Sequence, residues 1–471
     1  MVTSYYITTK WGRIVSCWPV SNRPVHAEQP RLESADEIGA QLSILRHIVS
    51  KASVGHRPAP PVGQAFLPVF LLVSTALAQP RYDLVLKHAH VIDPKNQISA
   101  IRDVAISQGK IAAIAENIPA SDARKSIDVS SLYVTPGLVD IHTHVFAGSM
   151  GREYTGESCV RPDGFTFRSG VTTVVDAGSS GWRNFGEFRD QIINRSQTRV
   201  FAMLNIVGSG MGGRPDVEQN TRDMDPQRTA EVAKRHSDVV VGIKVAHYAG
   251  PEWIAVDRGV EAGNLAHIPV MVDFATFRPE RPFQELVLKH LRPGDIYTHT
   301  YLTAVPMLDE QGRLLPYLFE ARKRGIIFDV GHGGGSFSFK QAVPAMRQGF
   351  PPDSISTDLH VESMNAGMKD MLNVMSKFLN MGMSLDDAIA RSTWNPAQEI
   401  HHPELGHLSV GSPADIAVLR LVDGDFGFVD SARRRMRGTR KLVAEMTLRN
   451  GRVVWDLNGM NSEDWNDASH K

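Results

Sequence analysis

Cysteine is scarce. Cys17 and Cys159 are the only two among 471 residues, so a disulfide framework is excluded and the cysteines say nothing about redox compartment. Net charge is absent too: 51 basic residues balance 51 acidic ones, which removes the electrostatic reason to expect nucleic acid or an acidic surface as a partner. The uncharged stretch AFLPVFLLVSTALAQ falls short of the roughly 20 apolar residues that a membrane-spanning helix requires. What is present is the composition of an ordinary globular chain, 42% hydrophobic and 7% aromatic, long enough for a large core and a second domain.

That apolar stretch reads as a secretory signal. It ends in Ala76-Leu77-Ala78, an A-x-A cleavage pattern, with Lys51 and Arg57 as upstream positive charge. Pro68 in its middle argues against a core helix. The expectation is a leader over residues 1–78, with the signal-like segment at about 64–78. Export to the periplasm or exterior would follow cleavage near Ala78; the alternative is a cytoplasmic protein. Signals sit at a true N-terminus. Either translation therefore starts downstream of Met1, or residues 1–60 form an unstructured leader that runs into the Pro-rich RPAPPVG.

From Tyr82 the chain turns to short β-runs, YDLVLKHAHVID, RDVAISQGKIAAI and SIDVSSLYVTPG, separated by turn residues. A matching set lies near the far end, HLSVGSPADIAVLRL and KLVAEMTLRNGRVVWD, the second with an Asn450-Gly451 hairpin signal. Both ends are expected to build one small β-sandwich from residues 79–135 and 405–458, with a polar tail over 459–471. Between them β-rich runs recur about every thirty residues, at 138–142, 171–177, 199–207, 238–246, 268–275, 295–301, 326–331 and 354–360. Helical segments such as NFGEFRDQIINR alternate with them. The α/β alternation predicts a parallel sheet with crossover helices, and eight units close a (β/α)8 TIM barrel over residues 136–404.

Such barrels place their chemistry at the C-terminal ends of the strands. PGLVDIHTH ends the first run in His142 and His144, which as i and i+2 of an extended segment aim at one point. Lys244 interrupts the apolar VVGIKVAHY, His299 ends DIYTHTY, His332 follows IIFDVG, and Asp358 sits in STDLH. One such residue in a strand is usually structural. Five strands ending this way on one rim point to a metal site.

These motifs resemble the metal-dependent amidohydrolase superfamily, from about Tyr82 to Trp455. PGLVDIHTH is similar to its strand-one metal signature. STWNPAQEIHHPELGHLSVGSPADIAVL, with Asn395, Pro396, Ala397, Gly411, Ala414 and Asp415, is similar to its closing pattern. RPERPFQEL and LRPGDIYTHTYL resemble the amidohydrolase/deacetylase (dihydroorotase-like) metallohydrolases within it. The resemblance implies two divalent ions, zinc above all. His142, His144 and Asp358 would hold the more buried ion and His299 the outer one. Lys244, N-carboxylated by carbon dioxide, would supply the anionic bridge. Where such families end strand five in histidine, this chain has Asp273. A carboxylate is a competent zinc ligand, so Asp273 either replaces the imidazole or stands behind the metal. Ligation is the expectation, and the added oxygen would let manganese compete at the outer site. The implied chemistry is attack of a metal-bridging hydroxide on an acyl carbonyl, with Asp358 as general base and then acid.

Substrate contacts are expected from the loops after the strands. The candidates are Arg152 and Tyr154, His247 and Tyr248, Arg278 in the Pro-flanked FRPERP, and His332 beside three glycines. Arg278 is the expected carboxylate anchor. Dihydroorotases of the superfamily usually carry an arginine two residues after the HxH, where this chain has Val145-Phe146, so that activity is disfavoured. The function implied is hydrolysis of a C–N amide or ester bond in a small N-acyl or O-acyl carboxylic acid. A small-molecule partner, no nucleic acid, no membrane for the mature chain and a homo-oligomer are expected. Two alternatives remain open. A one-metal deaminase or cyclic amidohydrolase is opposed by Lys244 and the absent strand-five histidine. A metal-free barrel serving as a scaffold is opposed by the nearly complete ligand set.

Overall fold

The computed structural model describes residues 80–148, 159–211, 216–274 and 276–466; the signal-like segment, Arg152 and Tyr154 lie outside them. Five strands come first: β1 (Tyr82–Asp93), β2 (Ile98–Ser107), β3 (Lys110–Ala115), β4 (Ala123–Asp128) and β5 (Tyr133–Pro136). Seven follow, with helices between most of them: β6 (Leu138–Thr143), β7 (Val171–Gly181), β8 (Arg199–Asn205), β9 (Val240–Val245), β10 (Val270–Val272), β11 (Ile296–Tyr297) and β12 (Ile327–Phe328). Last come β13 (Ile416–Val429), β14 (Arg435–Arg449) and β15 (Arg452–Asp456). Strands β6 to β12 are successive neighbours in one curled parallel sheet. The other eight form one mostly antiparallel sheet, ordered β15-β14-β13-β5-β1-β2-β3 with β4 beside β1. Both chain ends meet there where β13 pairs with β5, Ile416 opposite Pro136.

The parallel strands β6, β7, β9 and β10 are buried along their whole length, as strands covered by helices on a face must be. Two of the longer helices start on ordinary caps. Asp225 accepts from Arg228 N ahead of Pro226–Arg235, with Pro226 at the first helical position. Asp370 does the same for Met371–Asn380. Asn450 and Gly451 join β14 to β15 with φ of 49° and 74°, the two left-handed residues that a tight hairpin requires. Among the described residues no helix is long and apolar enough to cross a membrane.

The expected eighth strand, residues 354–360, is not a regular strand. Pro351-Pro352 enters it, and side chains take over part of the bonding. Ser354 and Ser356 hydroxyls donate to Asp329 (2.9 and 2.6 Å), and Thr357 N donates to Asp140 (3.0 Å). The segment still bonds to both edges of the sheet: Val330 N to Ser354 O at 3.2 Å, His144 N to Leu359 O at 2.9 Å. A second difference lies in β13 and β14, which run on as a ribbon through residues 423–440. Asp430 closes its tip by accepting from Ala432 N and Arg434 N (2.9 and 2.8 Å).

Candidate metal centre

Three histidines at the strand ends are aimed by what holds their Nδ1 atoms. His142 Nδ1 lies 2.9 Å from Thr298 Oγ, whose own proton goes to Asp329 at 2.7 Å, so the hydroxyl accepts from the ring. His299 Nδ1 donates to Gly331 O at 2.6 Å, and a carbonyl can only accept. Both rings are thereby fixed with a lone pair on Nε2, the arrangement of ligating histidines. His144 Nδ1 meets Ser179 Oγ at 3.1 Å, which positions its ring.

The Nε2 atoms converge on two carboxylates and a lysine. Asp358 Oδ1 is 3.1 Å from His144 Nε2 and 3.7 Å from His142 Nε2. Asp273 Oδ2 is 4.0 Å from His299 Nε2 and 2.7 Å from Lys244 Nζ. Lys244, fully buried, also lies 3.5 Å from His142 Nε2. Ligand atoms on one tetrahedral ion, about 2.0–2.1 Å from it, stand about 3.3 Å apart. His142, His144 and Asp358 are spaced to share one ion, and His142, Asp273 and His299 another. The donor set therefore fits divalent metal.

The charge states suit ligation as well. Burial alone would raise both carboxyls. At Asp273 the charges of Lys244 and His247 overcome it, and at Asp358 the charge of His360, with hydrogen bonds from His144 and His360, does the same. Both stay ionised far below the usual carboxylate range. Burial, then the charge of Lys244, drives His142 well below the ordinary imidazole value. Burial lowers His299 despite the pull of Asp273 and Asp358. Two glycines make room. Gly331 (φ 44°) and Gly333 (φ 55°) are left-handed, and a Cβ would come within 2.2 Å of Thr298 Oγ at the first and 2.4 Å of Asp358 Oδ2 at the second.

The expected substrate contacts divide. His247 stands at the edge of the centre, Nδ1 2.8 Å from Glu218 Oε2 and Nε2 3.6 Å from Asp273 Oδ1. His332 does not serve as expected. It is fully buried, its Nδ1 donates to Gly333 O at 2.9 Å, and its Nε2 accepts from Lys377 Nζ at 2.6 Å, so neither nitrogen is free for a substrate. Arg278 is not drawn in either: it is exposed on a turn and gives its Nε to Ala249 O. Tyr248 donates to Glu252 at 2.7 Å. Sequence reasoning missed His360, whose Nδ1 lies 3.2 Å from Asp358 Oδ1. Its position two residues beyond Asp358 repeats the spacing of His142 and His144, a signal that could have found it. Glu218 and Lys377 carry no such signal.

The sequence profile of the amidohydrolase family matches residues 339–454. A deacetylase of Agrobacterium fabrum (strain C58) is 35% identical over 335 residues, 69% of this chain and 79% of the relative. A solved dihydroorotase is 31% identical with a TM-score of 0.69, covering 79% of this chain and 99% of its own. A solved adenine deaminase is 27% identical with a TM-score of 0.72, covering 80% of this chain and 100% of its own.

Proposed function

The chain belongs to the amidohydrolase family, hydrolases acting on C–N bonds, and on that premise we propose that it is a two-ion hydrolase of small N-acyl or O-acyl compounds. The observation that carries this is the convergence of His142, His144, His299, Asp273 and Asp358 around a fully buried Lys244. We read the curled sheet, bonded at both edges to residues 354–359, as a (β/α)8 barrel with these groups on its C-terminal rim. The sheet of both chain ends is read as its small sandwich.

His142, His144 and Asp358 would hold the inner ion, and His299 and Asp273 the outer one. Lys244, once carboxylated, would supply an anionic ligand. Loss of one proton from its ammonium, addition of carbon dioxide to the amine with formation of an N–C bond, and loss of a second proton would turn the cation into a carbamate. With Asp273 at 2.7 Å, that carbamate creates two adjacent anions, which require cations beside them. When bound, two divalent ions lower the pKa of water toward neutrality and polarise the scissile carbonyl. Asp358, ionised and buried, takes the proton of the attacking water and passes it to the leaving nitrogen or oxygen. His360 Nδ1 holds the residue in place, 2.7 Å from the main-chain O of Asp358 and 3.2 Å from its Oδ1. Arg278 does not reach the centre, so the proposal is confined to the acyl group.

Metal analysis of the purified protein tests the reading, with two equivalents expected alongside turnover of a panel of N-acetyl and O-acetyl compounds. One equivalent points to a deaminase-type centre, and none to a non-catalytic barrel.

A further inference from the structure

Asp273 in place of a histidine leaves the outer ion short of one nitrogen donor. We propose that His247 supplies it, as an outer-ion ligand through Nε2, with Glu218 as its positioning residue; the inference rests on the two-ion reading above. His247 lies three residues past Lys244, just beyond the end of β9. Its Nδ1 is 2.8 Å from Glu218 Oε2, and ligating histidines characteristically give their second N–H to a carboxylate. Glu218 is itself 4% exposed and anchored, its Oε1 3.3 Å from Asn205 Nδ2 at the end of β8. A buried carboxylate fixed in this way holds the ring with Nε2 turned inward.

Inward lies Asp273. The 3.6 Å from His247 Nε2 to Asp273 Oδ1 is long for a hydrogen bond, and it falls within the 3.1–4.0 Å spacings of the other ligand pairs. The backbone N–H of His247 reaches the same oxygen at 3.3 Å, so residue 247 wraps the carboxylate with ring and main chain. Backbone conformation makes the same point. His247 is left-handed (φ 54°), as are the ligand candidates His299 (63°) and Asp358 (53°). Side-chain-bearing residues adopt that region at a cost. With His247 included, the outer site regains the imidazole that Asp273 displaced. Its side chain is 42% exposed, against 1% for His142, so the outer ion is also the one open to exchange.

The test is zinc binding. Wild type, His247→Ala and Glu218→Gln are loaded with zinc chloride, dialysed against graded chelator and assayed for bound zinc, with circular dichroism as the folding control. Wild type should hold two equivalents. His247→Ala should hold one, its outer affinity at least about 100-fold weaker, and Glu218→Gln should weaken that affinity about 10- to 100-fold. Free imidazole should restore the second equivalent to His247→Gly. X-ray absorption of the zinc-loaded wild type, which needs no variant to fold, should count four imidazoles over two ions. A folded His247→Ala that keeps its second zinc with unchanged affinity and only a raised KM would overturn the proposal, as would a count of three imidazoles. A wild type that never takes a second zinc sinks the two-ion reading itself, and this inference with it.

Discussion

Asp358 has three imidazoles around one carboxylate oxygen, those of His144, His360 and His142 at 3.1, 3.2 and 3.7 Å. Charge and hydrogen bonding keep it ionised although it is buried, the state a general base needs before it accepts a proton. Asp358→Asn keeps the shape and one acceptor oxygen but loses the base. Turnover should fall by about 10²–10⁴-fold while bound metal falls much less; near-normal turnover would remove Asp358 from the proton path. Its neighbour Gly333 provides a gentler probe. A methyl at Gly333 would sit 2.4 Å from Asp358 Oδ2 at a left-handed φ of 55°, so the carboxylate must move. A displacement of about 1 Å at a reacting group can cost about 100-fold in rate, and Gly333→Ala should lose about that much kcat in a folded, metal-binding protein. Unchanged kcat would mean that Asp358 finds its position without the glycine.

The helix Met371–Asn380 is buried along most of its length, Lys377 included. Lys377 Nζ donates to His332 Nε2 at 2.6 Å and to Gly367 O at 2.7 Å. Burial pushes its ammonium down to about 7, with Asp430 and Asp370 opposing only in part. The unfolded chain keeps an ordinary lysine near 10.4. Between those values the unfolded state binds a proton that the folded state does not, so this group makes stability rise with pH across the window and adds no slope below it. Lys377→Met removes that slope. From pH 7 to 9 the urea-measured stability of wild type relative to Lys377→Met should improve by about 2 kcal/mol; a flat difference would mean an ordinary lysine in the fold. Such contacts also mark what the sequence displays and what it does not. The i,i+2 spacing of His142 and His144 is local and readable, as is Lys244, the lone charge in an apolar run. The segment 354–360 is held partly by hydroxyls on Asp329 and Asp140, which leave no periodic trace. Glu218 and Lys377 reach their histidines only through tertiary packing, so nothing in their neighbourhoods announces them, and Arg278 beside its prolines looked stiff enough to anchor a substrate but faces outward.

Across the whole molecule, the two sheets are tied through Asp415, the last residue of the closing motif GSPAD. Its Oδ2 accepts from Arg199 Nη1 of β8 at 2.6 Å, and its Oδ1 from Arg449 Nη1 of β14 at 3.1 Å and from Asn450 N at 2.8 Å. Its carbonyl accepts from Gly137 N, just ahead of β6, at 2.8 Å. One residue thus joins the parallel sheet to the hairpin of the other sheet. The aspartate, Arg199 and Arg449 side chains are only 10%, 18% and 13% exposed, so solvent screens the ion pairs little. Removing one member of such a set leaves the remaining charges desolvated and uncompensated, at about 3–5 kcal/mol. Asp415→Ala should therefore lower unfolding free energy by about 3 kcal/mol, measured by urea titration. Arg199→Met in the same chain should add little further loss, because the guanidinium it removes is one of the two left stranded. If the carboxylate couples the sheets, intrinsic fluorescence and release of bound metal should shift together along the urea axis. A loss below about 1 kcal/mol would place Asp415 with ordinary surface ion pairs, and the joint between the sheets would then rest on apolar packing and backbone pairing alone.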